Sequence, residues 1–245
     1  MGFADLIKTS QGMHFILAWR SSLDAETQFA VEAVRVSKLY DTFAALRHAT
    51  CSFATGGLHL ILGENGAGKS TLLRIIAGLS TPNAGSVRVL NQKPGAAQGV
   101  AYMSHAPMLY DEMTAMENLS YFAALYAQPN SCGCSISPEM ALRAVGLDPH
   151  LTRPVGNLSQ GMRQRASMAR ALMADPVLLL LDEPFSNMDV EGARQMLDLL
   201  LDFKTWPSPL GTRTILLTTH QADLVLPVAD TVTRIHRGAV VVEAA

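Results

Sequence analysis

The segment Gly63, Glu64, Asn65, Gly66, Ala67, Gly68, Lys69, Ser70, Thr71 constrains this chain more than any other, because it stands between an apolar run at 58–62 and a helical pattern at 72–78. The order of strand, glycine-rich loop and helix, with the spacing G-x-x-x-x-G-K-[ST], describes a phosphate-binding loop. Glycines let the backbone approach a phosphate closely, and the N–H groups opening the next helix point at it with the positive end of the helix dipole. Lys69 adds a point charge, and the Ser70 hydroxyl is a hard oxygen suited to Mg²⁺. The loop predicts binding of ATP together with Mg²⁺.

Such a loop works at the edge of a largely buried sheet, and the rest of the sequence supplies one. Short β-branched or leucine-rich runs at 31–36, 58–62, 100–103, 177–181, 214–218 and 231–235 alternate with helical patterns, which predicts βαβ units in an α/β fold. From 114 to 174 the strand signal disappears, and the patterns at 114–126, 138–145 and 159–173 read as helices, with Pro138 and Ser159 suited to helix starts. These predict a helical subdomain at about 106–174 inserted into a nucleotide-binding domain at 31–243, preceded by an extension at 1–30. The link 128–137, with Pro129 and Gly133, is the most flexible part by composition.

Charge and cysteine usage narrow the partners. A net charge of −2 with 16% charged residues argues against a nucleic-acid backbone as the main partner, which calls for a basic excess or stripe. Cys51, Cys132 and Cys134 are too few for a disulfide framework and lack the second ligand pair of a zinc site, so free thiols in a reducing compartment are expected. The apolar runs at 13–19 and 177–181 are far shorter than the roughly 20 residues of a membrane span. Asp5 interrupts the start of the chain, which does not read as a signal peptide.

A second chemical feature follows the run at 177–181, where Asp182 and Glu183 place two carboxylates at the end of a buried strand. Ligands of open parallel sheets bind at that end. Asp182 is suited to hold Mg²⁺ through water, and Glu183 to polarise the water that attacks a γ-phosphate. Leu158, Ser159, Gln160, Gly161 and Met162 open a further helix, which by itself reads as an ordinary serine-capped start.

Taken in series, the phosphate loop, helical insertion, Ser-x-Gly helix, Asp-Glu strand and the run Thr218, Thr219, His220 resemble the nucleotide-binding subunits of ATP-binding cassette (ABC) transporters over about 31–241. The resemblance implies a P-loop NTPase core with a parallel central sheet, an antiparallel β subdomain and the inserted helical subdomain. It makes residues 63–71 the Walker A motif, with Lys69 a catalytic contact, and Asp182 with Glu183 the end of Walker B. Residues 158–162 look like the signature, where Gln160 and Met162 depart from the usual LSGGQ while Ser159 and Gly161 keep the groups that face nucleotide. Asp189 belongs to a D-loop-like run, His220 resembles the switch histidine, and Tyr40 the aromatic that stacks on adenine, with Phe43 in reserve. His105 stands at the Q-loop position, where most relatives carry glutamine; it is the metal-ligand candidate there, either substituting imperfectly or leaving the place to water.

One Walker A and one signature imply a dimer, because in this family each site joins the Walker A of one subunit to the signature of another. A homodimer is expected, docked on a multi-spanning membrane permease at the cytoplasmic face of the cell membrane. The sequence ends soon after His220, which favours a compact export-type subunit over importers with a regulatory C-terminal domain. Ser104 and His105, the run Leu109, Tyr110, Thr114, Glu117, Asn118, Leu119 and the run 158–165 look most like the CcmA-type ATPases of bacterial haem export for cytochrome c maturation. An exporter of another substrate, a soluble ABC ATPase acting on ribosomes or DNA repair, and a non-hydrolysing ATP-gated scaffold are the competing readings.

Overall fold

The computed structural model describes residues 29–126 and 136–241, so the extension expected at 1–30, apart from its last two residues, most of the link at 128–137, and Cys132 and Cys134 lie outside the described residues. Two sheets organise the rest. The first is antiparallel, in the order β2-β1-β4. It is built from β1 (Phe29–Tyr40), β2 (Phe43–Ala54) and β4 (Ala84–Val89). Its ribbon closes in a tight turn where Tyr40 pairs with Phe43, and Asp41 takes a left-handed φ of 50° that aspartate tolerates better than most residues.

The second sheet has the order β5-β6-β7-β3-β8-β9. Its strands are β3 (Leu58–Leu62), β5 (Val100–Met103), β6 (Leu178–Asp182), β7 (Thr214–Thr218), β8 (Thr231–His236) and β9 (Ala239–Val241). All pairs are parallel except β8 with β9. Every residue of β3, β6 and β7 is buried, which is why these strands read as unbroken apolar runs.

Strand alternation then sorts those residues between two cores. Leu178, Leu180, Leu216 and Ile61 face the antiparallel sheet and helix α1 (Lys69–Ile76), which contributes Leu72, Leu73, Ile75 and Ile76. Leu179, Leu181, Leu217 and Leu60 face the helices of the other side. Those are α2 (Ala115–Tyr126), α3 (Pro138–Ala144), α4 (Gln160–Met173) and α5 (Val190–Thr205). Ser137 caps α3 by accepting from the Met140 amide at 3.2 Å, with Pro138 at its first turn. A short α6 (Ala222–Val225) leads from β7 back to β8.

Candidate functional site

A cleft of about 420 Å³ opens where the C-terminal ends of β3 and β6 meet the tip of the β1–β2 ribbon. The loop after β3 forms its floor. Gly68 sits at the N-cap of α1 with φ 109°, and a Cβ there would lie 2.4 Å from the Ala45 carbonyl oxygen, so the ribbon and the loop can approach this closely only through glycine. Lys69 is 7% exposed and its Nζ donates to the Gly63 oxygen at 2.7 Å and the Glu64 oxygen at 3.1 Å, folding the ammonium across the loop.

Asp182 gathers the neighbouring elements. It is 2% exposed, and its Oδ1 accepts from Ser70 Oγ and from Thr218 Oγ1, both at 2.9 Å. Its Oδ2 accepts from the Tyr102 hydroxyl at 3.3 Å. A carboxylate this buried is tolerable because every lone-pair direction it uses meets a donor. Sheet register makes the set: Asp182 lies beside Thr218 on β7, and Tyr102 lies beside Leu180 on β5, on the face that Asp182 shares. The interaction of Arg74 of α1 with the Tyr102 phenol holds the guanidinium above its ordinary pKa, while burial, helped by the charge of Asp182, raises the Tyr102 phenol.

Glu183 follows with a left-handed φ of 57°, a conformation that costs a non-glycine residue about 1–3 kcal/mol and persists only where its surroundings enforce it. Here the Glu183 amide donates to the oxygen and to Oγ1 of Thr218, each at 3.2 Å. Its carbonyl accepts from Ser186 Oγ at 2.8 Å and Gln164 Nε2 at 3.0 Å. The carboxylate is thereby turned toward the cleft, where Oε2 accepts from the His220 amide at 3.0 Å. Oε1 lies 3.3 Å from His220 Nε2 but has no hydrogen bond of good geometry, although it is buried. That leaves one acceptor of a buried carboxylate available to a ligand or water.

The structure brings together Tyr40, Asn65, Gly66, Ala67, Gly68, Lys69, Ser70, Thr71, His105, Asp182, Glu183 and His220 as lining of one cleft. Tyr40 and the reserve Phe43 both line it, 43% and 57% exposed, and Lys38 Nζ lies 5.1 Å from the centre of the Tyr40 ring. Gly63 and Glu64 stand behind the lining and act through their carbonyls on Lys69. Ser159, Gly161 and Asp189 are not brought into the cleft. Ser159 caps α4 by accepting from the Met162 amide at 3.2 Å, and Asp189 caps α5 by accepting from the Gly192 amide at 3.0 Å. Sequence reasoning gave no individual role to Arg74 and Ser186, which line the cleft, or to Tyr102 and Thr218, which reach Asp182 from outside its lining. Arg74 had a signal, lying one helical turn beyond Ser70 on the same face.

The donor set fits Mg²⁺. Ser70 and Asp182 offer hard oxygens, and among the described residues no group of three or more His, Cys, Asp or Glu side chains forms a metal cage. Mg²⁺ takes one or two protein ligands and fills its octahedron with phosphate oxygens and water.

A glycine cradle at a helix N-terminus, a lysine folded into it and a carboxylate pair on the adjacent strand end define a P-loop nucleoside-triphosphate site. The chain belongs to the ABC transporter family, whose profile matches residues 46–186, and it carries that family's ATPase domain. It is 35% identical over 228 residues to the fluoroquinolones export ATP-binding protein MT2762 of Mycobacterium tuberculosis (strain CDC 1551 / Oshkosh), covering 89% of this chain and 72% of that protein. It is 32% identical over 217 residues to the sulfate/thiosulfate import ATP-binding protein CysA of Mycobacterium tuberculosis (strain ATCC 25618 / H37Rv), a match over 86% of this chain that spans only 60% of that relative's length. The fold matches the dimeric post-hydrolysis state of the ATP-binding cassette MJ0796 bound to ADP and Pi, with a TM-score of 0.75 at 23% identity over 87% of this chain and 97% of that one. Among the described residues no helix is long and apolar enough to cross a membrane.

Proposed function

We propose that this chain binds ATP with Mg²⁺ in the cleft and hydrolyses it to drive transport, as one half of a dimer docked on a separate multi-spanning membrane subunit at its cytoplasmic face. The observation that carries this reading is Glu183, strained into a left-handed conformation with one carboxylate oxygen unsatisfied at the mouth of a phosphate loop. Loop amides, Lys69 and Ser70 take the phosphates, Tyr40 offers its ring to the adenine, and Asp182 and Ser70 hold the metal with His105 beside them. Bound Mg²⁺ supplies Lewis-acid neutralisation of charge developing on the phosphate oxygens. Glu183 Oε1 accepts a hydrogen bond from the attacking water and orients it, and His220 holds that carboxylate in place.

Ser159, Gly161 and Asp189 complete the site of a second copy. Ser159 heads α4 on an exposed surface, where its hydroxyl and the first amides of a 14-residue helix suit a phosphate presented by a partner. For the membrane subunit, the surface around 105–112 and the start of the helical insertion expose Met108, Tyr110, Tyr121 and Leu125, with the Tyr110 and Tyr121 rings 5.3 Å apart edge to face. Exposed large apolar side chains grouped in this way suit a protein interface.

Haem is the finer assignment for the cargo, supported by the runs around Ser104 and His105, 109–119 and 158–165; the relatives named above carry sulfate/thiosulfate import and fluoroquinolone export in their names. Stimulation of hydrolysis by haem, measured on this chain co-purified with its membrane partner, tests that step, and stimulation by another cargo alone removes it.

The central test is Glu183→Gln. ATP binding is retained, hydrolysis falls by about a thousandfold or more, the scale of losing a group that acts in the transition state, and ATP shifts the variant to a dimer on gel filtration. A variant that hydrolyses like the wild type removes the role of Glu183, and monomers at every ATP concentration remove the shared site.

A further inference from the structure

The Asp182 carboxylate is held from two sides, and one of them is not part of the phosphate loop or of the Asp-Glu strand. Ser70 and Thr218 both donate to Oδ1, whereas Oδ2 accepts from the Tyr102 hydroxyl at 3.3 Å. Arg74 of α1 lines the cleft beside this contact, and its guanidinium and the Tyr102 phenol influence each other, a link from α1 through β5 to β6. The link is geometrically economical. Tyr102 is in register with Leu180, and a side chain leaning along its strand from that position meets the next residue of the same face, Asp182. Its ring packs into the core beneath α1, and it is half-buried, so the hydroxyl has few alternative directions. Arg74, one turn past Ser70 on α1, lines the cleft and brings a permanent positive charge toward the same carboxylate.

We propose that Tyr102, anchored by Arg74, is the positioning residue for Asp182: it fixes the rotation of the carboxylate that would hold the Mg²⁺ of bound nucleotide, and neither side chain touches the reacting atoms. The inference rests on the nucleotide reading of the cleft. Partners of a metal ligand that set its orientation are commonly worth about 10- to 100-fold in metal affinity. The alternative is that Tyr102 fills space between α1 and β5 and its hydroxyl is incidental.

Tyr102→Phe separates the two, since it keeps the ring and removes only the donor. Titration calorimetry of ATP on the wild type, once with Mg²⁺ and once with EDTA, gives the factor by which the metal strengthens binding. In Tyr102→Phe that factor is expected to fall about tenfold, with affinity in EDTA unchanged because the loop and Lys69 are intact. Arg74→Met is expected to reduce the same factor by less. The double variant should lose no more than Tyr102→Phe alone, because the two act through one link. Arg74→Met also keeps the proposal testable if Tyr102→Phe unfolds, which its thermal melt reports. An unaltered Mg²⁺ factor in folded Tyr102→Phe or in Arg74→Met overturns the positioning role while leaving the nucleotide site standing. A wild type that binds no ATP in either buffer overturns the nucleotide reading, and this inference with it.

Discussion

The two ends of the parallel sheet are built from similar residue types and treat their charges in opposite ways. At the end away from the cleft, charged and polar groups are fully used. Arg213 is 2% exposed and donates to Asp175 at 2.5 Å and to the carbonyls of Pro176, Trp206 and Pro207, with its guanidinium 4.5 Å from the Phe203 ring. Asp230 accepts from the Leu58 amide at 2.7 Å and from Lys204 at 2.6 Å. At the cleft end, Glu183 is strained with an unsatisfied oxygen, and Lys69 is bonded only to carbonyls of its own loop. One end closes its electrostatics internally and serves stability. The other holds charges whose partners are incomplete, as a site that receives a charged ligand must.

The contrast predicts that equal losses of charge will separate stability from binding. Arg213→Ala should have the largest effect, about 3–5 kcal/mol of unfolding free energy, because it strands Asp175 and several carbonyls; nucleotide affinity of the folded fraction should be unchanged. Chemical denaturation checks it, and a loss below about 1 kcal/mol would show the far end to be no better paired than a surface. Lys69→Ala is the reverse case. It should weaken ATP binding by about thirtyfold, the value of a charge-assisted contact, with little change in unfolding midpoint, since the lysine bonds only loop carbonyls that face solvent or ligand. Unchanged affinity by calorimetry would contradict the phosphate loop itself.

How far this was legible in the sequence follows from where each signal resides. The strands β3 and β7 begin and end where their apolar runs do, because strands buried on both faces need no alternation. Strand β2 went unread: its alanine-rich sequence, half-exposed with Arg47 and His48 facing out, and the register shifts of its pairing with β1 break any clean period of two. Helix α5 carries a helical period in Ala193, Met196, Leu197, Leu200 and Phe203, but it holds no motif that marks it beside the runs on either side. Within the site, the loop and the Asp-Glu pair are contiguous and therefore visible as motifs. Tyr102 and Arg74 join them only through sheet register and helix phase, which no contiguous pattern displays, and register alone shows that Thr218, at the head of a legible run, reaches Asp182.

The smallest expected effect sharpens the comparison at the far end, where His59 links the two sheets. It is 1% exposed and uses both ring nitrogens, Nδ1 with Thr231 Oγ1 at 2.6 Å and Nε2 with the Ala54 oxygen at 2.8 Å. The carbonyl can only accept, so Nε2 carries the proton and Nδ1 accepts from the threonine, a neutral imidazole with nothing left over. Burial lowers the His59 pKa below its usual 6.5; the bond to Ala54 and the charge of Asp230 oppose that shift, and Lys204 reinforces it. A histidine whose pKa is lower when folded binds more protons when unfolded, so its contribution is complete above about 6.5 and is lost as pH falls from there toward the folded value. Unfolding free energy measured between pH 7.5 and 5.5 should therefore decline more steeply in the wild type than in His59→Gln, and ATP affinity should not follow that decline. Equal slopes would mean that His59 is solvated enough to titrate freely, and the far end of the sheet would then be less completely closed than its hydrogen bonds indicate.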